Sequence, residues 1–110
     1  MSVRTLTRAE LERLGVSVDP DTGAIYQKGE EIKPLIHLTR NGLTYPKVMI
    51  YDPLVYARTK KQGNRSILAG RVVWAFVYGF CHSDFYVKPK DGNYFNLKPD
   101  NLELRPRRRV

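Results

Sequence analysis

At 110 residues the chain fits one domain, and a second independent core is not expected, because domains most often run to about 100–150 residues. Its composition is that of a globular protein, 42% hydrophobic and 27% charged, without the apolar run of roughly 18 residues that would span a bilayer, and its one cysteine excludes an internal disulfide. The net charge of +8 lies wholly in the second half: residues 1–55 hold seven Lys/Arg against seven Asp/Glu, residues 56–110 twelve against four.

Taken in chain order, Thr7-Arg8-Ala9-Glu10 has the capping-box spacing, in which a Thr hydroxyl and a Glu carboxylate each satisfy an orphan backbone donor. A helix is predicted over 8–14, with Leu6, Leu11 and Leu14 on one face and Gly15 as its stop. The residues before it hold no apolar stretch of signal-peptide type, so a cytoplasmic protein is expected. Asp19-Pro20-Asp21-Thr22-Gly23 reads as a turn, residues 24–27 as a strand, and 28–31 as a tight connection back into 32–38. Asn41-Gly42 signals a hairpin before a strand over 44–51, in which Pro46, unable to donate to a ladder, argues for an edge position. Asp52-Pro53 turns the chain into 54–57, and a basic loop over 58–65 leads to 66–68.

Over 69–79 the residues are nearly all apolar and end at Gly79, which predicts a buried helix, with a buried strand as the alternative given the β-branched and aromatic content. Cys81 reads as a partly buried small residue, and Cys81-His82 has no second cysteine for an ordinary zinc site. A strand over 85–87, a turn over 90–93 and a partner strand over 101–104 follow, with 106–110 as a loose cationic tail. The fold class expected is therefore α+β: an N-terminal helix, a small antiparallel sheet, a buried central helix and a C-terminal β-hairpin, in a single domain over 1–110. The expected buried set is Leu11, Leu14, Ile25, Val48, Ile50, Leu68, Val73, Trp74, Val77, Val87 and Leu102, with Trp74 the costliest to lose.

Several phrases occur in a set order: Val18-Asp19-Pro20-Asp21-Thr22-Gly23-Ala24-Ile25-Tyr26, Gly42-Leu43-Thr44-Tyr45-Pro46-Lys47-Val48, the helix 70–79, and Val87-Lys88-Pro89-Lys90-Asp91-Gly92-Asn93 followed by Asn96 and Asn101-Leu102. Together they resemble the phage-type HNH endonuclease family over nearly the whole chain, which implies a ββα-metal hairpin. The departures carry the functional expectation. Where that family's helix opens with His-Arg, Gly70-Arg71 stands here, and where its hairpin carries a metal-holding Asp and a general-base His, Lys88-Pro89 stands.

Pro has no titratable group to take a proton from water. Lys88 brings an ammonium where a hard cation needs oxygen ligands. The resemblance thus implies a degenerate, disarmed nuclease with no catalytic residue, metal or cofactor. Asn101 corresponds to the family's middle Asn, which braces the hairpin loop. Asp91 and Asn96 allow either a weak ion site or a turn whose side chains bond their own backbone. His82 reads as a solvated loop histidine, with a displaced base as the alternative.

What remains is a binder. No acid occurs between Asp52 and Asp84, so that stretch makes a one-signed field attractive to phosphates. The expected function is non-catalytic nucleic-acid binding, DNA ahead of RNA, through Arg58, Lys60, Lys61 and Arg65 in the basic loop, Arg71 at the helix opening, Lys88 and Lys90 in the former active site, and Arg105, Arg107, Arg108 and Arg109 at the C-terminal end. The alternative is a phage accessory protein that binds and modulates a host protein through the same basic face, with exposed tyrosines as anchors. An active HNH endonuclease comes third. A phage-encoded chain would act in the host cytoplasm.

Overall fold

The N-terminal capping signal holds in the computed structural model, which describes residues 5–38, 44–59 and 63–106. Thr7 Oγ1 accepts the Glu10 N–H at 3.1 Å and opens α1 (Arg8–Arg13). Glu10 completes a different contact from the one its spacing predicts: its carboxylate accepts Arg65 Nη1 at 2.6 Å. Just ahead, β1 (Leu6–Thr7) pairs with a strand some 75 residues later, β8 (Phe80–Cys81), in the register Leu6 to Cys81.

The helix leads into an antiparallel meander of β2 (Val16–Val18), β3 (Ile25–Gln27) and β4 (Glu30–Ile32), in spatial order β2-β3-β4. Its second turn needs only Lys28 and Gly29, both at positive φ (+51° and +84°), as a two-residue turn matched to strand twist requires. The return segment predicted over 32–38 is broken at Lys33-Pro34, and β5 (Leu35–Leu38) belongs to another sheet. The Gln27 side-chain amide joins the sheets, donating to the Leu14 and Tyr51 carbonyls at 3.0 and 2.9 Å and accepting the Tyr51 N–H at 3.1 Å.

In that second sheet β6 (Thr44–Tyr51) lies between β5 and β7 (Asn64–Leu68). The edge position argued from Pro46 is therefore corrected. Pro46 pairs with Ile36 on one flank, while on the other the ladder to β7 stops at Lys47–Leu68, so the strand is locally an edge where the donor is missing. Asn41-Gly42 lies outside the described residues. Asp52-Pro53 is a helix start rather than a plain turn: Asp52 Oδ1 accepts the Leu54 N–H at 3.0 Å and Pro53 opens α2 (Pro53–Thr59).

The apolar stretch forms α3 (Ala69–Tyr78), stopped by Gly79 as predicted. It is the hub of the fold, packed against α1, β1, β2, β3, β6, β7, β8 and the hairpin strand β9 (Phe85–Pro89). A single 3₁₀ turn (Pro99–Asn101) delivers the chain into β10 (Leu102–Pro106), antiparallel to β9. Among the described residues no helix is long and apolar enough to cross a membrane.

Leu11, Val48, Ile50, Val72, Val73, Ala75 and Cys81 are completely buried and join α1, β6, α3 and β8 in one core. Four residues of the predicted core are only partly buried: Trp74, Val77 and Val87, which pack against it, and Leu68. Trp74 lies on the flank of α3 with its ring 4.3 Å from that of Tyr78, so its truncation costs less than full burial would imply. Of the missed core positions, Leu6, Val16, Val18 and Cys81 belong to strands too short for a periodic signal, while Ala69, Val72 and Ala75 lie on α3, whose nearly continuous apolar run does not mark its inward face.

Candidate nucleic-acid interface

The register of the hairpin decides which cations meet. Tyr86 faces Arg105 and Lys88 faces Glu103, and the Lys90 N–H continues the ladder to the Asn101 carbonyl at 2.6 Å. Alternation along β9 then sends Val87 and Pro89 to one side, and Tyr86, Lys88 and Lys90 to the other. Tyr86, Lys88, Lys90 and Arg105 are all exposed, Val87 is partly buried and Pro89 fully so. Among the described residues none of these three cations takes part in an ion pair. One aromatic ring and three positive charges, opposed by the single carboxylate of Glu103, share a face.

The twelve-residue loop beneath that face is held by amides. Asp91 Oδ1 accepts the Asn93 N–H at 2.8 Å and Asn101 Nδ2 at 3.1 Å, and Oδ2 accepts Asn96 Nδ2 at 2.9 Å. Asn101 Nδ2 also donates to the Asn96 carbonyl at 3.0 Å, so Asn101 braces the loop. The Asn96 amide first, then the Asn93 N–H and the Asn101 amide, hold the Asp91 carboxyl below the ordinary Asp value, since each favours the charged form. The turn reading of Asp91-Gly92-Asn93 is present, with the Asp91 side chain bonding the backbone two residues on. Among the described residues no three His, Cys, Asp or Glu side chains stand together as metal ligands.

Gly23 anchors this loop to the rest of the chain. At φ +79° it closes the turn 19–23, whose shape comes from the Asp21 N–H on Asp19 Oδ1 at 2.9 Å and the Gly23 N–H on the Asp19 carbonyl at 2.8 Å. A Cβ on Gly23 would lie 2.0 Å from the Leu97 carbonyl oxygen, so only glycine permits this approach.

Between the start of α3 and the hairpin lies a cleft of about 250 Å³. Pro46, Leu68, Gly70 and Arg71 form one wall. The hairpin supplies Tyr86, Val87, Pro89 and Leu102, and the loop adds Tyr94 and Leu97. Gly70 at the opening of α3 and Pro89 on the hairpin therefore line one cavity. Gly70 is tightly fitted there, since a Cβ would meet Val87 Cγ1 at 3.3 Å.

Other predicted contacts are used differently. Arg71 is 3% exposed; its Nη1 donates to the Phe85 carbonyl at 3.0 Å and its Nη2 to the Cys81 carbonyl at 3.2 Å, which ties α3 to the chain entering β9. It is a brace within the fold, not a surface cation. Arg65 on β7 pairs with Glu10 at 2.6 Å and Asp52 at 3.4 Å, so its charge is answered internally. Arg58 is exposed near the end of α2, which packs on β7. Lys60, Lys61, Arg107, Arg108 and Arg109 lie outside the described residues. His82 is exposed, and its Nδ1 accepts the Asp84 N–H at 3.0 Å.

The sequence reading misses Tyr86 and Tyr94. For Tyr86 the signal is present as the alternation Tyr86, Lys88, Lys90; for Tyr94, inside an irregular loop, no periodicity points to the cleft. No family model matches the chain, and neither a curated protein nor a solved structure does.

Proposed function

We propose that the chain is a non-catalytic nucleic-acid-binding protein, DNA ahead of RNA, on a scaffold that resembles a disarmed phage-type HNH nuclease. The observation that carries this reading is the hairpin face: Tyr86, Lys88, Lys90 and Arg105 exposed together, with no ion pair among the described residues to neutralise the three cations. Such cations gain most by displacing counterions from phosphates, and an aromatic ring among them offers a stacking surface. The resemblance is supported by the order of elements, by the Asn101 brace, and by the cleft that Gly70 and Pro89 share. Lys88 stands where a metal-binding carboxylate would be needed, and Pro89 offers no proton acceptor, so binding without cutting follows.

A salt titration of DNA affinity tests the reading. The logarithm of the affinity should fall with the logarithm of salt concentration, with a slope near −0.9 for each phosphate neutralised. Plasmid incubated with Mg²⁺ or Mn²⁺ should stay intact. Absence of any salt-dependent affinity overturns the binder, and nicking abolished by a hairpin substitution overturns the loss of catalysis.

The exposure of Tyr51, Tyr78 and Tyr86, at 43%, 50% and 36%, favours a second reading in which the same cationic face meets an acidic surface on a host protein. A pull-down after nuclease treatment separates the two, because only a protein partner survives removal of nucleic acid.

A further inference from the structure

We infer that the cleft between α3 and the hairpin seats one unstacked nucleobase, so that the protein prefers single-stranded nucleic acid to duplex. The inference rests on the nucleic-acid reading above and names its substrate class. Tyr86 is the link: it belongs to the cationic outer face through Lys88, Lys90 and Arg105, and it also lines the cleft. A strand whose phosphates follow the three cations therefore passes the mouth of an aromatic cavity.

The chemistry of the cavity matches a base and not a backbone. Tyr94, Val87, Pro89, Leu97 and Leu102 line it, with Tyr86 where the outer face meets the cleft, and these largely apolar surfaces suit a flat ring better than a phosphate. Its volume of about 250 Å³ falls below the roughly 300–1,000 Å³ of pockets for larger ligands and suits a single ring system. In a duplex the ring faces are already stacked on their neighbours and are not offered to a protein, whereas a single strand can turn one out at little cost.

The test compares three labelled ligands of equal length by fluorescence anisotropy with the full chain: a thymidine oligonucleotide, an abasic strand with the same phosphates, and a duplex. The thymidine strand should bind about tenfold more tightly than the abasic one, the scale of one base–aromatic stack. The variants Tyr86→Leu and Tyr94→Leu should lose that ratio while keeping the salt slope, and Tyr86→Phe, which retains the ring, should keep both. Equal affinity for thymidine and abasic strands, tighter binding of duplex, or a ratio untouched in both Leu variants overturns the base seat and leaves the nucleic-acid reading standing. Failure of all three ligands to show salt-dependent binding overturns the nucleic-acid reading itself, and the base seat with it.

Discussion

Arg65 and Lys88 each carry one positive charge on a five-residue strand, yet folding treats them in opposite ways. Arg65 reaches Glu10 at 2.6 Å and Asp52 at 3.4 Å, and Asp52 in turn fixes the first turn of α2 through the Leu54 N–H. Lys88 faces Glu103 across the hairpin with no ion pair among the described residues, and it has Lys90 on the same side. The first region consumes charge to join α1, β7 and α2; the second displays it. A formal charge of +8 thus overstates the binding surface, because Arg65 and Arg71 are spent inside the fold.

The largest effect is expected at the joint between the two regions. Gly23→Ala places a methyl group 2.0 Å from the Leu97 carbonyl oxygen and also strains a backbone at φ +79°, so either the turn or the hairpin loop must give way. A loss of about 3 kcal/mol or more is expected in urea denaturation. Gly29→Ala is the matched control: its φ is +84° but nothing lies within 4 Å of the added carbon, and about 1 kcal/mol should be lost. Equal costs at the two positions would show that the turn and the loop are not in contact.

A smaller effect separates the cations themselves. Arg65→Met strands Asp52, whose side chain is 5% exposed, with Arg13 at 3.8 Å as its remaining ion pair, and should cost about 2 kcal/mol of stability. Lys88→Met should stay within about 0.5 kcal/mol in the same assay and instead reduce the salt slope of DNA binding by about 1. The reverse pattern, a stable Arg65→Met that binds poorly, would move the interface to β7.

The two regions also differ in how far the sequence discloses them. Thr7, Glu10, Gly15 and Gly79 mark the helix ends because capping is local chemistry, and α1 and α3 are legible for that reason. Asp52-Pro53 carries an equally local helix start, while β1 and β8 have two residues each and exist only through pairing across the chain. The fate of Arg65 is illegible in the same way, since Glu10 lies 55 residues away. On the hairpin, alternation places Tyr86 with Lys88 and Lys90, whereas Arg105 joins them only once the register is known. The cleft needs three-dimensional placement of α3 against β9 and the loop, which no periodicity encodes.

The smallest effect concerns Asp91, which holds the display loop in shape. Its carboxyl lies below the ordinary Asp value because Asn96, then Asn93, then Asn101 donate to the charged form. A group depressed in the folded state adds stability that is complete above its unfolded pKa and is lost as pH falls through its folded pKa. The loop should therefore keep its structure through neutral and mildly acidic conditions and loosen only below the ordinary Asp range. Carbon-detected NMR of the Asp91 side chain should give a lower titration midpoint in the folded chain than in urea. Asn96→Ala should raise that midpoint more than Asn101→Ala does, following the order of their contributions. A midpoint equal to that in urea would mean that the amide bonds are not formed in solution, and that Lys90 is carried on a loop without the Asp91 brace.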